Sequence, residues 1–404
     1  MSRAANVAGG PVRSGAAPAS TCPSVDNVVA RVDGGLARIR VPGGRIDAAA
    51  LEAVADAARR WGSGVVEITN RANLQLRGIR PGAARELAEA LVASGVSRGP
   101  AADRRRNVLL DPLGDLDPQS EDFGPLLAPL LAALDADARL DGLDEKFGFA
   151  IDGGGSWSVA GRRAAVIAFA TTTGVVAVCW AWAVDGEEGS PSRPRQVDRD
   201  ELVDALVEAA VASLGRPRAS LSVPGASAQA LVRLAGPLGA GDGWVGAMPE
   251  LGRMDAASAA AVAAAARRYS GGTLRLTPWR GVVLPAVAQG DVEVLLEDLR
   301  AHGLVVDPSD PASTVVACAG SRGCTSGLAD TVGDARRIVA ARREARRAPA
   351  ALHVSGCAKC CAEPGPVPSS LVASGPDRYD VYCDGELRAR GVRGADAVAY
   401  AGRR

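Results

Sequence analysis

Aromatic residues are scarce: Phe, Tyr and Trp make up only 3% of the 404 residues. In a chain that is 47% apolar, the core must therefore be built mostly from Ala, Val and Leu. Histidine is scarcer still. His302 and His353 are the only two, and they do not stand at ligand spacing, so there is no sequence signal for a two-His-one-carboxylate metal site. No apolar run is long enough to span a bilayer and no apolar leader opens the chain, so no membrane is expected as a partner. A net charge of +0 and a pI of 6.8 argue against general nucleic-acid binding. There is no Walker loop, no G-x-G-x-x-G after a strand and no H-E-x-x-H, which removes the best-marked nucleotide and zinc-protease sites. The expectation is a cytoplasmic protein whose eight cysteines stay reduced and open to metal.

What the chain does have is a pair of cysteine loops near its C-terminus. Cys318-Ala-Gly-Ser-Arg-Gly-Cys324 is followed by Ser355-Gly-Cys357-Ala-Lys-Cys360-Cys361, giving C-x5-C and C-x3-C. Four thiolates on two loops suit a [4Fe–4S] cube, which takes one sulfur ligand per iron. A zinc knuckle, with ligands two to four residues apart, is a rival that fits C-x5-C less well; a disulfide pair and unrelated buried thiols are the others. Gly320, Gly323, Gly327 and Gly356 let the backbone come close to the site. Cys360 and Cys361 compete for the fourth ligand position, with Cys361 favoured.

An internal repeat organises the rest. Gly44-Arg45-Ile46-Asp47-Ala48-Ala49 returns as Gly252-Arg253-Met254-Asp255-Ala256-Ala257, and Thr69 returns as Thr277. Both pairs are 208 positions apart (252 − 44 and 277 − 69) without a gap. In each copy an aspartate can cap a helix, a strand follows, and a turn leads to a second strand. The same offset sets Leu110 against Cys318, so Arg106–Leu110 is the thiol-free counterpart of the cluster segment. Two related halves packed about a pseudo-dyad are expected, with a site between them. The expected units are a disordered tail at 1–22, one copy at 23–100, an α/β domain at 101–240, the second copy at 241–308, and the cluster domain at 309–404. Strands are expected at 147–152, 164–184 and 370–383, an exposed loop at 185–199, and helices at 200–213 and 328–347.

A set of basic residues faces this site. Thr69-Asn-Arg71-Ala-Asn73-Leu-Gln75-Leu-Arg77 alternates, which would put Arg71, Asn73, Gln75 and Arg77 on one face. Arg106, in Arg104-Arg105-Arg106-Asn107, abuts an apolar strand and is expected to point inward, with Arg104 and Arg105 in solvent. Lys146 and Arg280 complete the set. Such a density of cations suits a polycarboxylate. His353 reads as a residue behind the cluster or in packing, Cys179 as core, and Trp279 as either core or site.

Together these residues resemble the sulfite/nitrite reductase superfamily over nearly the whole chain. The features are the duplication, the T-x-R-x-x-x-Q turn (Thr69, Arg71, Gln75), the Arg106-Asn107-Val108 segment and the paired cysteine loops. Within it the sequence is most similar to the precorrin-3B synthase branch, through Thr69–Gly78, Leu276–Pro285, Ala317–Gly320 and His353–Lys359. The resemblance implies an α+β fold. It would comprise two ferredoxin-like half-domains and two α/β domains, the second carrying the cluster. It implies a monooxygenase that takes precorrin-3A, O2 and electrons from NADH or a reductase to precorrin-3B, with hydroxylation at C20 and closure of a γ-lactone. It also implies a [4Fe–4S] cluster on Cys318, Cys324, Cys357 and Cys361, a mononuclear non-haem iron, and a tetrapyrrole held by Arg71, Asn73, Gln75, Arg77, Arg106, Lys146 and Arg280. Arg71, Arg106 and Lys146 would stand at the reaction. One feature departs from the reductases of the superfamily, which carry K-x-K where this chain has Lys146-Phe147-Gly148. A sirohaem-dependent sulfite or nitrite reductase is the alternative.

Overall fold

Asp47 starts the first long helix, Ala48–Trp61, by accepting the Ala50 N–H at 2.7 Å, which satisfies one of the free donors of the first turn. The helix buries Leu51, Val54, Ala55 and Ala58 and stops at Gly62. A computed structural model describes this and the rest of residues 22–162, 164–171, 175–180, 194–216, 235–363 and 367–403. The expected tail, apart from Cys22, lies outside the described residues, as does the loop from 185 to 193.

Around that helix run β1 (Val29–Arg31), β2 (Gly34–Ile39), β3 (Arg45–Asp47), β4 (Val65–Ile68) and β5 (Leu74–Ile79). The next unit contributes β6 (Val108–Leu110), β7 (Phe149–Asp152), β8 (Val166–Ala170), β9 (Val176–Trp180) and β10 (Arg195–Val197). β10 corrects the expectation of a loop through 199. It is an edge strand on β9 with Arg195 and Gln196 exposed, so it carries no apolar alternation to read. Helix Leu202–Ala212 follows, as expected.

The second copy gives β11 (Gly239–Gly241), β12 (Trp244–Pro249), β13 (Arg253–Asp255), β14 (Thr273–Leu276), β15 (Val282–Pro285) and β16 (Leu304–Val305). Its helix Ala256–Tyr269 is capped by Asp255, which accepts the Ser258 N–H at 2.7 Å. The last unit holds β17 (Val315–Ala317), β18 (Leu352–Ser355), β19 (Ser369–Gly375), β20 (Arg378–Cys383) and β21 (Glu386–Arg393), then helix Gly394–Arg403.

The two copies exchange a strand. One sheet runs β1-β2-β5-β4-β13, the other β11-β12-β15-β14-β3 with β16 also on β12. Each copy thus lends the strand before its long helix to the other copy's sheet, and the two helices pack on each other. The two α/β units also match. β6-β7-β8 are parallel with β9 and β10 added antiparallel, and β17-β18-β19 with β20 and β21 repeat that order. Leu110 ends β6 where Cys318 follows β17, in keeping with the 208-residue offset.

Candidate functional site

The exchanged strand creates the floor of a cavity of about 240 Å³. Cross-strand pairing sets Arg38 opposite Gln75, Gln75 opposite Glu67, and Glu67 opposite Arg253, one polar row over β2, β5, β4 and β13. In the other sheet the matching row is Gly246, Val283, Arg275 and Arg45. There Arg275 is committed to Asp115 and to the Pro112 carbonyl, and Leu110 and Leu127 press on Gly43. The duplication therefore yields one polar cavity and one filled counterpart.

Five arginines line the cavity, Arg31, Arg38, Arg77, Arg253 and Arg280, against one carboxylate, Glu67. Arg77 is held in place: its guanidinium donates to both Asp33 oxygens (2.7 and 3.1 Å) and to the Gly323 carbonyl within the first cysteine loop, and lies 3.6 Å from Glu67. Burial alone would depress its pKa, but Glu67 and Asp33 outweigh it and the net shift is upward. Arg253 pairs with Glu67. Arg38 is the freer cation. It reaches Gln75 at 3.4 Å, and its buried Nε has no hydrogen-bond partner. Sequence reading missed Arg38, Arg40 and Arg253. The alternation Leu36-Ala-Arg-Ile-Arg-Val could have exposed the first two, because Ala37 and Ile39 enter the core and leave the arginines on the opposite face.

Of the expected ligand-binding residues, Gln75, Arg77 and Arg280 line the cavity, whereas Arg71, Asn73, Arg106 and Lys146 do not. The period-2 face expected from 71 to 77 breaks at Ala72, whose φ of 52° is left-handed. Asn73 turns inward, its Oδ1 accepting the Val41 N–H at 2.8 Å and its Nδ2 donating to Asn107. Arg71 donates to the Lys146 carbonyl at 3.2 Å, and the Lys146 side chain is exposed. Arg40 donates to Asn107 and to the Glu145 carbonyl. Burial and the charges of Arg38 and Arg71 press its pKa down to about 9, so positive potential runs on from Arg38 towards Arg71. The Arg104–Arg106 expectation is corrected at Arg105, expected in solvent but buried, and at Arg106, which is half-buried away from the cavity. Arg105 is 6% exposed and caps the carbonyls of Leu134 and Asp137 at the end of helix Leu127–Ala136, while Arg106 pairs with Asp135 at 3.3 Å. An arginine that finishes a helix two elements away leaves no local signal.

The two cysteine loops meet at this cavity. Cys318, Cys324, Cys357 and Cys361 all line it; Cys360 does not. Burial raises the Cys361 thiol pKa, and neighbouring Cys357, Cys318 and Cys324 raise it further. The Gly356 N–H donates to Cys318 Sγ at 3.0 Å, and a Cβ at Gly356 would stand 3.3 Å from that sulfur. Thr331 Oγ1 donates to the Cys318 carbonyl. Among the described residues no three His, Cys, Asp or Glu side chains form a set that would close on a single ion. The expected mononuclear iron is left without a ligand set among them. Four thiols spread around one cavity, with a backbone N–H already aimed at a sulfur, fit a larger sulfur-ligated group.

Behind the loops, His353 is 1% exposed with Nε2 unpartnered, and burial together with the charge of Arg280 lowers its pKa to about 4. Trp279 is core: 2% exposed, edge-on to Trp157 at 5.5 Å and covered by Arg162 at 5.0 Å. Cys179 is buried in β9, as expected. Among the described residues no helix is long and apolar enough to cross a membrane.

The nitrite/sulfite reductase ferredoxin-like half domain matches twice, at residues 31–94 and 237–302. The structure of the Mycobacterium tuberculosis NirA protein superposes with a TM-score of 0.70 over 91% of this chain and 80% of that one, at 18% identity, and so shares the fold. The chain is thus built on two nitrite/sulfite reductase ferredoxin-like half domains. Ferredoxin–nitrite reductases of Zea mays and Synechococcus elongatus are 32% and 34% identical but align over only 30% of this chain and 22% and 25% of their own length. The precorrin-3B synthase of a Sinorhizobium species aligns over 90% of this chain and 82% of its own, at 28% identity. Over most of its length, the chain is a homologue of that precorrin-3B synthase.

Proposed function

We propose that this chain is an oxidoreductase of the precorrin-3B synthase type, converting precorrin-3A, with O2 and reducing equivalents from NADH or a reductase, to the C20-hydroxylated γ-lactone precorrin-3B. The observation that supports it most is the meeting of four cysteines and five arginines at one cavity. Cys318, Cys324, Cys357 and Cys361 would hold a [4Fe–4S] cluster, which when bound supplies electrons one at a time. Arg38, which lines the cavity and among the described residues has only Gln75 as a side-chain partner, would meet a substrate carboxylate; Gln75, which itself donates to Glu67, would hold Arg38 in place, and Arg31 and Arg253 add to the positive field that draws the substrate in. Arg77 and Glu67 keep the floor rigid. A macrocycle larger than the cavity would extend along the potential that continues through Arg40 to Arg71.

The sirohaem reductase alternative meets an obstacle at position 148. The reductases of the superfamily place their second lysine there, but a Cβ on Gly148 would lie 2.3 Å from Asn107 Nδ2. Asn107 is itself tied to the Phe147 carbonyl at 2.8 Å and to Arg40. Protein purified without oxygen should contain iron and acid-labile sulfide. With precorrin-3A, a reductant and air it should yield a product one oxygen atom heavier. A strong sirohaem absorption band with turnover of sulfite or nitrite would replace this reading by the alternative.

A further inference from the structure

The fourth cysteine stands beside a second thiol, and the protein must choose between them. Cys360 has a φ of 47°, and its N–H returns to the Cys357 carbonyl at 3.3 Å. This tight left-handed turn leaves Cys361 at the cavity and Cys360 outside it. A left-handed conformation costs a residue with a Cβ and persists only where the surroundings impose it.

Those surroundings converge on the next carbonyl. The Ala362 oxygen accepts from Arg280 Nη2 and from Asn70 Nδ2 at 3.2 Å. Glu363, one residue on, pairs with Arg162 at 3.3 Å and lies 4.0 Å from Arg280. Asn70 and Arg280 belong to corresponding turns of the two repeats, Thr69–Ala72 and Thr277–Arg280 (277 − 69 = 208). In both turns the fourth residue is left-handed, Ala72 at φ 52° and Arg280 at φ 63°. In the first copy that place holds a methyl group 3.3 Å from where a Gly44 Cβ would stand. In the second it holds an arginine lying over Gly252, 2.7 Å from where that Cβ would be. A buried arginine on a left-handed backbone, seated over a glycine and spent on the Ala362 carbonyl and Glu363 of one short segment, is costly unless the position of that segment matters.

We propose that Asn70 and Arg280 are positioning residues that select Cys361 over Cys360 as the fourth sulfur ligand, by pinning the Ala362 carbonyl from both repeats at once. The inference rests on the cluster reading above. It moves Arg280 from a substrate contact to a clamp on the ligand loop.

The test is a set of ligand exchanges read by iron and acid-labile sulfide per chain and by the paramagnetic signal of the reduced protein. With the clamp intact, Cys361→Ser should lose most of the iron and sulfide, and Cys360→Ser should lose none. In Asn70→Ala and Arg280→Gln backgrounds the choice should relax, so that Cys360→Ser now lowers the cluster content and Cys361→Ser retains part of it with an altered signal. Should Arg280→Gln fail to fold, Asn70→Ala, which removes one partly buried amide, carries the comparison alone. If the clamp variants leave the two serine substitutions behaving as they do in the native background, the inference is overturned. If the native protein holds zinc and no sulfide, the cluster reading itself has failed, which is a distinguishable result.

Discussion

Arg38 and Arg77 share a face, a charge and a cavity, yet they should behave differently when removed. Arg77 is spent on Asp33, Glu67 and the Gly323 carbonyl. Arg77→Ala leaves Glu67 buried with one arginine fewer, and a buried charge that loses its partner costs several kcal/mol. It also releases the loop between Cys318 and Cys324. The expected result is a lower melting temperature and less bound iron. Arg38 carries an unpartnered Nε instead. Arg38→Ala should keep the iron and raise the KM for the tetrapyrrole by about tenfold or more, the worth of one charge-assisted hydrogen bond of roughly 1.5–3 kcal/mol. Metal analysis with steady-state kinetics on both variants checks the contrast. At this scale the sequence was legible where chemistry is local: cysteine spacing marks the two loops that meet at the cavity, and Asp47 and Asp255 mark helix starts. It was illegible where a side chain's partner is remote, as with Arg105 and the carbonyls of Leu134 and Asp137.

Strand exchange is the element-scale feature that single-copy reading could not supply. The 208-residue repeat predicted two related halves. It did not say that β13 leaves its own sheet to pair with β4, and so that Arg253 completes the row begun by Arg38, Gln75 and Glu67. Pairing between distant strands is set by which faces bury together, and local periodicity carries no record of it. The exchange also constrains the glycines that precede β3 and β13. Gly44 and Gly252 have φ of 69° and 73°, and a Cβ would meet the Leu276 carbonyl oxygen at 2.3 Å in one case and Arg280 Cβ at 2.7 Å in the other. Gly44→Ala and Gly252→Ala should each destabilise the fold by on the order of 2 kcal/mol through backbone strain and crowding. Only Gly252→Ala displaces Arg280, so only that variant should also lower the iron content. Calorimetry beside iron analysis separates the two effects.

At the scale of the whole molecule the duplication places opposed titrations in corresponding sheets. In the second α/β unit, His353 on β18 has its pKa lowered to about 4 by burial and by Arg280. Between about pH 6.5 and 4 the unfolded chain binds a proton there that the folded chain refuses, so acidification destabilises the fold by up to about 3 kcal/mol. In the first unit, Asp111 follows β6 and is 5% exposed. Burial raises its pKa to about 6, against hydrogen bonds from the Leu113 N–H and Ser120 and with help from Asp152 and Asp117. There the folded chain takes a proton that the unfolded chain does not until about pH 3.8, so acidification through the same window stabilises by about 3 kcal/mol. The two contributions nearly cancel in the native chain. Asp111→Asn removes the stabilising one, so its melting temperature should fall more steeply than that of the native protein between pH 6.5 and 4.5. His353→Gln removes the destabilising one, so its curve should fall less steeply than the native, or rise. Thermal melts of the three proteins across that range decide it: parallel curves would mean that neither buried group titrates differently in the folded and unfolded chains.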